Sequence, residues 1–96
     1  MPVTPIGIAW FHEADYNGLR EIFEDGPKLA PTYEQWLESA NSLIEFLEGQ
    51  GVIVEKVYLT PEDFPQWCGE HGRRLNNRSR GEFVASVIKA RYKNTP

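Results

Sequence analysis

The sequence predicts an α+β protein, or a small α/β layer arrangement, with two strands and four helices in the order β-α-α-β-α-α. Two observations predict it. Two short runs carry β-type residues, Val3 to Phe11 and Val52 to Leu59, and each is followed by two segments with helical spacing of apolar residues. Length sets the scale, since 96 residues make a single small domain, 1–96, with 1–4 and 94–96 expected to fray.

The first strand alternates Ile6, Ile8 and Trp10 with Gly7, Ala9 and Phe11. The second set is small apart from Phe11, so a helix or another backbone is expected to approach that face closely. A helix over about Glu13–Glu24 follows, with Tyr16, Leu19, Ile22 and Phe23 on its apolar side and His12 or Asp15 as its cap. Asp25-Gly26-Pro27 ends it. Thr32 and Gln35 then fit a capping box, and Tyr33, Trp36, Leu37, Ala40, Leu43, Ile44 and Leu47 form one stripe expected to pack on the sheet.

Gly51 to Gly72 is the clearest unit. Val52, Ile53, Val54, Val57, Tyr58 and Leu59 fit a pleated, packed surface, interrupted only by Glu55 and Lys56. Both faces of that strand are apolar, which predicts cover on both sides and an interior position, or closure by another chain. Thr60 as N-cap, Pro61 in the first turn and acidic Glu62 and Asp63 open the third helix. Phe64, Trp67, Cys68 and His71 share one face of it, and Gly72 is a left-handed stop. After a basic connection, Ser79 and Glu82 suggest a second capping box for a last helix over about Arg80–Lys93, with Phe83, Val84, Val87, Ile88 and Tyr92 facing in. Two strands alone are marginal in water, so the sheet is expected to be covered by helices and extended by dimerisation, two copies pairing edge to edge.

Composition narrows the function classes. A chain with 41% hydrophobic and 25% charged residues is globular rather than disordered. With one cysteine, no internal disulfide forms and nothing points to an oxidising compartment. The N-terminal segment lacks the basic and apolar regions of a secretory signal, and no apolar run is long enough for a membrane span. The expectation is a soluble, cytoplasmic protein with no membrane partner. Residues 1–66 hold twelve acidic side chains against three basic ones, whereas 67–96 hold seven basic against two acidic. Such asymmetry marks either a polyanion site or acidic and basic parts that dock on each other or on a second copy.

Three constellations carry candidate chemistry. Cys68 and His71, at i and i+3, have the residue types of a zinc half-site or of a thiol nucleophile with its base, and His12 is the only other histidine. That set is too small for a metal centre, and a cysteine on an inward face is more often inert filling. No metal or other cofactor is expected, and these three are weak catalytic candidates. His12, Glu13 and Asp15 lie at a strand-to-helix corner, a position that holds ligands in open α/β sheets and equally an ordinary helix start. Arg73, Arg74, Arg78 and Arg80 form the stronger candidate, forks suited to phosphate or carboxylate. They lack interleaved aromatics, and the rest of the chain repels nucleic acid, so a solvated loop with intramolecular or intersubunit ion pairs, an acidic protein partner or self-association is favoured over a polyanion.

Trp36-Leu37, Ala40, Gly51-Val52, Val57, Pro61-Glu62-Asp63-Phe64, Trp67-Cys68 and Gly72 together form a pattern. It resembles a family of small bacterial proteins with a domain of unknown function, in which a Trp-Leu helix, a valine-rich strand and a Pro-x-x-Phe-x-x-Trp-Cys segment follow in this order. The likeness covers about Ile6–Phe83. It implies a bacterial source and a single compact domain, and transfers no catalytic residue. The function expected from the residues is a non-catalytic interaction or regulatory module that self-associates as a homodimer or binds a protein partner. The alternative is nucleic-acid or polyanion binding through the basic C-terminal third. Less favoured is a small hydrolase or metal-binding protein using Cys68, His71 and His12.

Overall fold

The computed structural model describes residues 4–93; of the ends expected to fray, 1–3 and 94–96 lie outside the described residues, as does Val3 of the expected first strand. Among the described residues the order is β1 (Ile6–Trp10), α1 (Glu13–Ile22), a 3₁₀ turn (Gly26–Lys28), α2 (Tyr33–Gly49), β2 (Val54–Tyr58), α3 (Asp63–His71) and α4 (Asn77–Tyr92). The α+β class and the order β-α-α-β-α-α are those the sequence predicts.

β1 and β2 pair in parallel, from Ile6 opposite Val54 to Trp10 opposite Tyr58. Parallel pairing requires a long crossover, which α1 and α2 supply. The Ile6 N–H donates to Ile53 O and the Leu59 N–H to Trp10 O, both at 2.9 Å. Alternate residues of a parallel strand bond to the same neighbour. Ile6, Ile8 and Trp10 therefore turn their backbone groups to β2, and Gly7 and Ala9 turn theirs to the other edge.

One face of the sheet carries Gly7, Ala9, Glu55 and Val57, and α4 lies against it. A Cβ on Gly7 would stand 2.5 Å from Val84 Cγ1 and 2.7 Å from Ile88 Cγ1, so the absent side chain sets how closely α4 approaches. This is the close approach that the small residues of the first strand predict. Val57, Leu59, Val84 and Ile88 continue into the core with Phe11, Tyr16, Leu19, Phe23, Phe64 and Phe83.

The other face is covered only in part. Trp36 of α2 packs edge-on against Trp10 at 4.9 Å between centroids and also meets Phe11. Beyond that contact, Ile6 is 50% and Tyr58 43% exposed. β2 is not the interior strand its apolar faces suggest; among the described residues it is one edge of a two-stranded sheet. The stripe of α2 is likewise covered only in part. Ala40 is buried and Ile44 and Leu47 are half-buried, whereas Leu43 is 47% exposed. The physical reason is width, because two strands offer too narrow a face to receive a helix of 17 residues along its whole length.

Hydrogen bonds to the side chains of the two expected threonines close the first turns of α2 and α3, although α3 itself begins only at Asp63. Thr32 Oγ1 accepts from the Gln35 N–H at 3.2 Å and Thr60 Oγ1 from the Asp63 N–H at 3.0 Å. Gly72 takes the left-handed conformation at φ 63°, and the Arg73 N–H returns to Cys68 O at 2.8 Å, which closes α3. α4 starts three residues earlier than the Arg80 expected from the sequence. Asn76, not Ser79, is its cap: Asn76 Oδ1 accepts from the Ser79 N–H at 3.0 Å, and Ser79 is buried. Asparagine is a strong capping residue, and it uses the N–H of the expected cap.

α4 is fastened at both ends by carboxylates from the acidic part of the chain. Near its start, Arg80 donates to both carboxylate oxygens of Asp25, at 2.9 and 2.7 Å, while its guanidinium lies over the Phe23 ring. Near its end, the Tyr92 hydroxyl donates to Glu55 Oε1 at 2.7 Å and Arg91 pairs with Glu55 Oε2. The hydrogen bonds from Arg80 hold the Asp25 carboxyl below its ordinary pKa. Those from Tyr92 and Arg91 do the same for Glu55.

Two predictions follow from this packing. Gly7→Val forces Val84 and Ile88 off their positions and lowers unfolding free energy in urea by about 1–3 kcal/mol, the usual range for overpacking. Asp25→Ala leaves Arg80 charged and unpaired in a site where it is only 8% exposed. It costs about 3 kcal/mol at neutral pH. Asp25 has a lowered folded pKa, so its contribution is complete above the unfolded aspartate pKa and is lost as pH falls through the folded value. Wild type and variant converge in acid, which urea titrations at stepped pH measure.

Candidate functional site

The three weak catalytic candidates do not assemble. Cys68 is 2% exposed in the core, its Sγ 3.8 Å from Arg74 O, and burial pushes its thiol pKa up. That opposes the thiolate a nucleophile or a zinc ligand requires. His71, on the same helix, is exposed. Its ring stacks on Trp67 at 4.5 Å, and Nδ1 lies 2.8 Å from Trp67 O. His12 occupies the N-cap position of α1, but its side chain makes no cap hydrogen bond and stacks instead on Tyr58 at 4.3 Å. Among the described residues no group of three or more His, Cys, Asp or Glu side chains is placed to hold a metal ion.

Three of the four candidate arginines are engaged inside the molecule. Arg80 holds Asp25, Arg74 reaches Glu24 at 2.8 Å and Arg73 reaches Glu82 at 3.3 Å. The first two join the basic third to the acidic part, as one of the two readings of the charge asymmetry expects. Arg78 is exposed and forms no ion pair among the described residues.

Arg78 instead stands on the rim of a groove of about 860 Å³ between the open edge of β1 and α4. Gly7 and Ala9 supply its strand side. Val84, Ala85 and Ile88 line its helix side, and Lys89 and Lys93 carry the basic rim towards the end of α4. None of the groove's lining residues is acidic, and neither lysine forms an ion pair among the described residues. Arg80 also lines the groove, with its charge already met by Asp25. Chemically the groove offers backbone donors and acceptors along one side, aliphatic surface along the other, and exposed cations at the rim.

Comparison with protein-family models, curated proteins and solved structures finds no match to this chain. No helix among the described residues is long and apolar enough to cross a membrane.

The basic third marks the rim in the sequence, and Gly7 and Ala9 mark the close approach of a helix. The groove itself has no sequence signal. It exists because, among the described residues, β1 has no strand beyond it and because α4 sits on the face rather than across the edge.

Burial of Cys68 predicts slow thiol chemistry. A disulfide reagent modifies the native protein at a rate set by opening of the α3 core, and modifies the urea-unfolded chain immediately. Absorbance of the released thiolate reads both rates, and rapid modification of the native form would place Cys68 at the surface.

Proposed function

We propose that this chain is a small, cytoplasmic, non-catalytic interaction or regulatory module acting through protein–protein contacts. The bacterial source implied by the sequence resemblance belongs to the same reading. The observation that supports it most is the groove beside β1, where an unpaired strand edge, an aliphatic wall and unpaired cations lie together. Exposed apolar side chains outside it, Leu43, Phe46 and Ile53, add surface that a partner or a second copy would cover. The separation of the buried thiol from the two exposed, ring-stacked histidines supports a binding role over a catalytic one.

Polyanion binding through the basic C-terminal third is the second reading, favoured by the unpaired charges of Arg78, Lys89 and Lys93. It predicts oligonucleotide affinity that falls steeply with added salt, because phosphate contacts release counterions. The intramolecular pairs of Arg73, Arg74 and Arg80 weigh against it.

Native mass spectrometry of the protein as purified, with crosslinking in cells, separates the readings. The expected outcome is a dimer or a discrete protein complex above the 11.0 kDa of the chain. A bare monomer without crosslinked protein, together with salt-sensitive oligonucleotide binding, moves the assignment to the second reading. Extra mass matching a metal ion or a small molecule overturns both.

A further inference from the structure

We propose that the groove between β1 and α4 takes an extended, acid-flanked peptide segment, which adds to the sheet as a third strand beside β1. The inference rests on the interaction-module reading and names the chemistry of the partner.

The backbone carries the first part of the argument. Gly7 and Ala9 turn their N–H and C=O groups away from β2, and both residues line the groove. An extended peptide supplies donors and acceptors at the spacing those groups need, and sheets are extended in this way by strand addition. Gly7 and Ala9 have little or no side chain, so the approach is not blocked. A phosphodiester backbone carries acceptors only and leaves the two carbonyl oxygens unanswered, which favours peptide over nucleic acid. Val84, Ala85 and Ile88 then provide an apolar wall for alternate side chains of the added strand.

Charge carries the second part. Arg78 lies at one end of α4, with Lys89 and Lys93 at the other, so the rim is basic at both ends of the groove. The chain elsewhere is strongly acidic, and this rim is where an acidic segment meets positive potential. A second copy pairing β1 to β1 about a two-fold axis would bring the two sets of cations together, so a second copy is the poorer occupant. The other edge of the sheet differs in kind. β2 carries Lys56 in its middle, with the ammonium 4.2 Å from the centroid of the Trp10 ring, and a lysine on an edge strand deters pairing. β1, Ile-Gly-Ile-Ala-Trp, has no such guard.

The test uses a labelled peptide with valine or isoleucine at alternate positions and glutamates at both ends. It is compared with a lysine-flanked version and with one N-methylated at alternate backbone nitrogens. Fluorescence anisotropy gives the affinity, and amide exchange of Gly7 and Ala9 reports the edge. The expected result is binding of the acid-flanked peptide with slowed exchange at both amides, and loss of binding on N-methylation. Arg78→Glu with Lys89→Glu, both exposed, weakens binding about tenfold while thermal unfolding is unchanged. Equal binding of the lysine-flanked peptide, unaltered exchange at Gly7 and Ala9, or binding only of a single-stranded oligonucleotide at the same rim overturns the proposal. So does a homodimer of the protein alone in which those amides are already protected. A crosslinked partner insensitive to the double variant would leave the module reading standing and remove only this assignment of its site.

Discussion

α4 is held in place by two carboxylates, Asp25 in the turn after α1 and Glu55 on β2, and the rest of the molecule depends on that attachment. A pair of parallel strands is marginal by itself. Here it is backed on one face by a helix whose start is bound to Asp25 and whose end is bound to Glu55. The pairs do more than offset charge. Arg80 is almost buried over Phe23, so its partner is needed to keep a cation in an apolar setting. Between these two anchors, Gly7 allows Val84 and Ile88 to reach the sheet, which closes the core over Val57 and Leu59.

The same attachment accounts for the surface that remains open. α4 spends Arg80 and Arg91 on holding the fold, while Arg78, Lys89 and Lys93 stay on the side that borders β1. The charge asymmetry of the sequence is thus divided. Part of it joins the two ends of the chain, and part of it surrounds an unpaired strand edge. The two edges are also unequal: Lys56 stands in the middle of β2, whereas β1 presents glycine and alanine backbone.

Local signals in the sequence were faithful where the chemistry is local. The Thr32 and Thr60 caps, the left-handed Gly72 and the small residues at 7 and 9 all act as their types and spacing indicate. The start of α4 was misplaced because Asn76 and Ser79 are both competent caps, and the choice between them lies in tertiary packing. The stripe of α2 shows a deeper limit. Periodicity reports that a face is apolar, not that the chain has something to cover it, and Leu43 stands exposed on a correctly placed helix. Asp25 and Arg80 lie 55 residues apart, so nothing in either neighbourhood announces their pairing. The groove is hidden for the same reason, since it is made by the absence, among the described residues, of a neighbour beside β1.

The close seating of α4 over Gly7 has a consequence for the order of events during synthesis. Of the described elements β1 leaves the ribosome first, and α4, the helix that covers it, leaves last. Until α4 emerges, β1 and β2 can pair only as a parallel ribbon closed by a long crossover, covered in part by α2 on one face and lacking the wall of Val84 and Ile88 on the other. The nascent chain therefore carries an incompletely covered strand until α4 has been made, and assembly of the unit waits for its last described element.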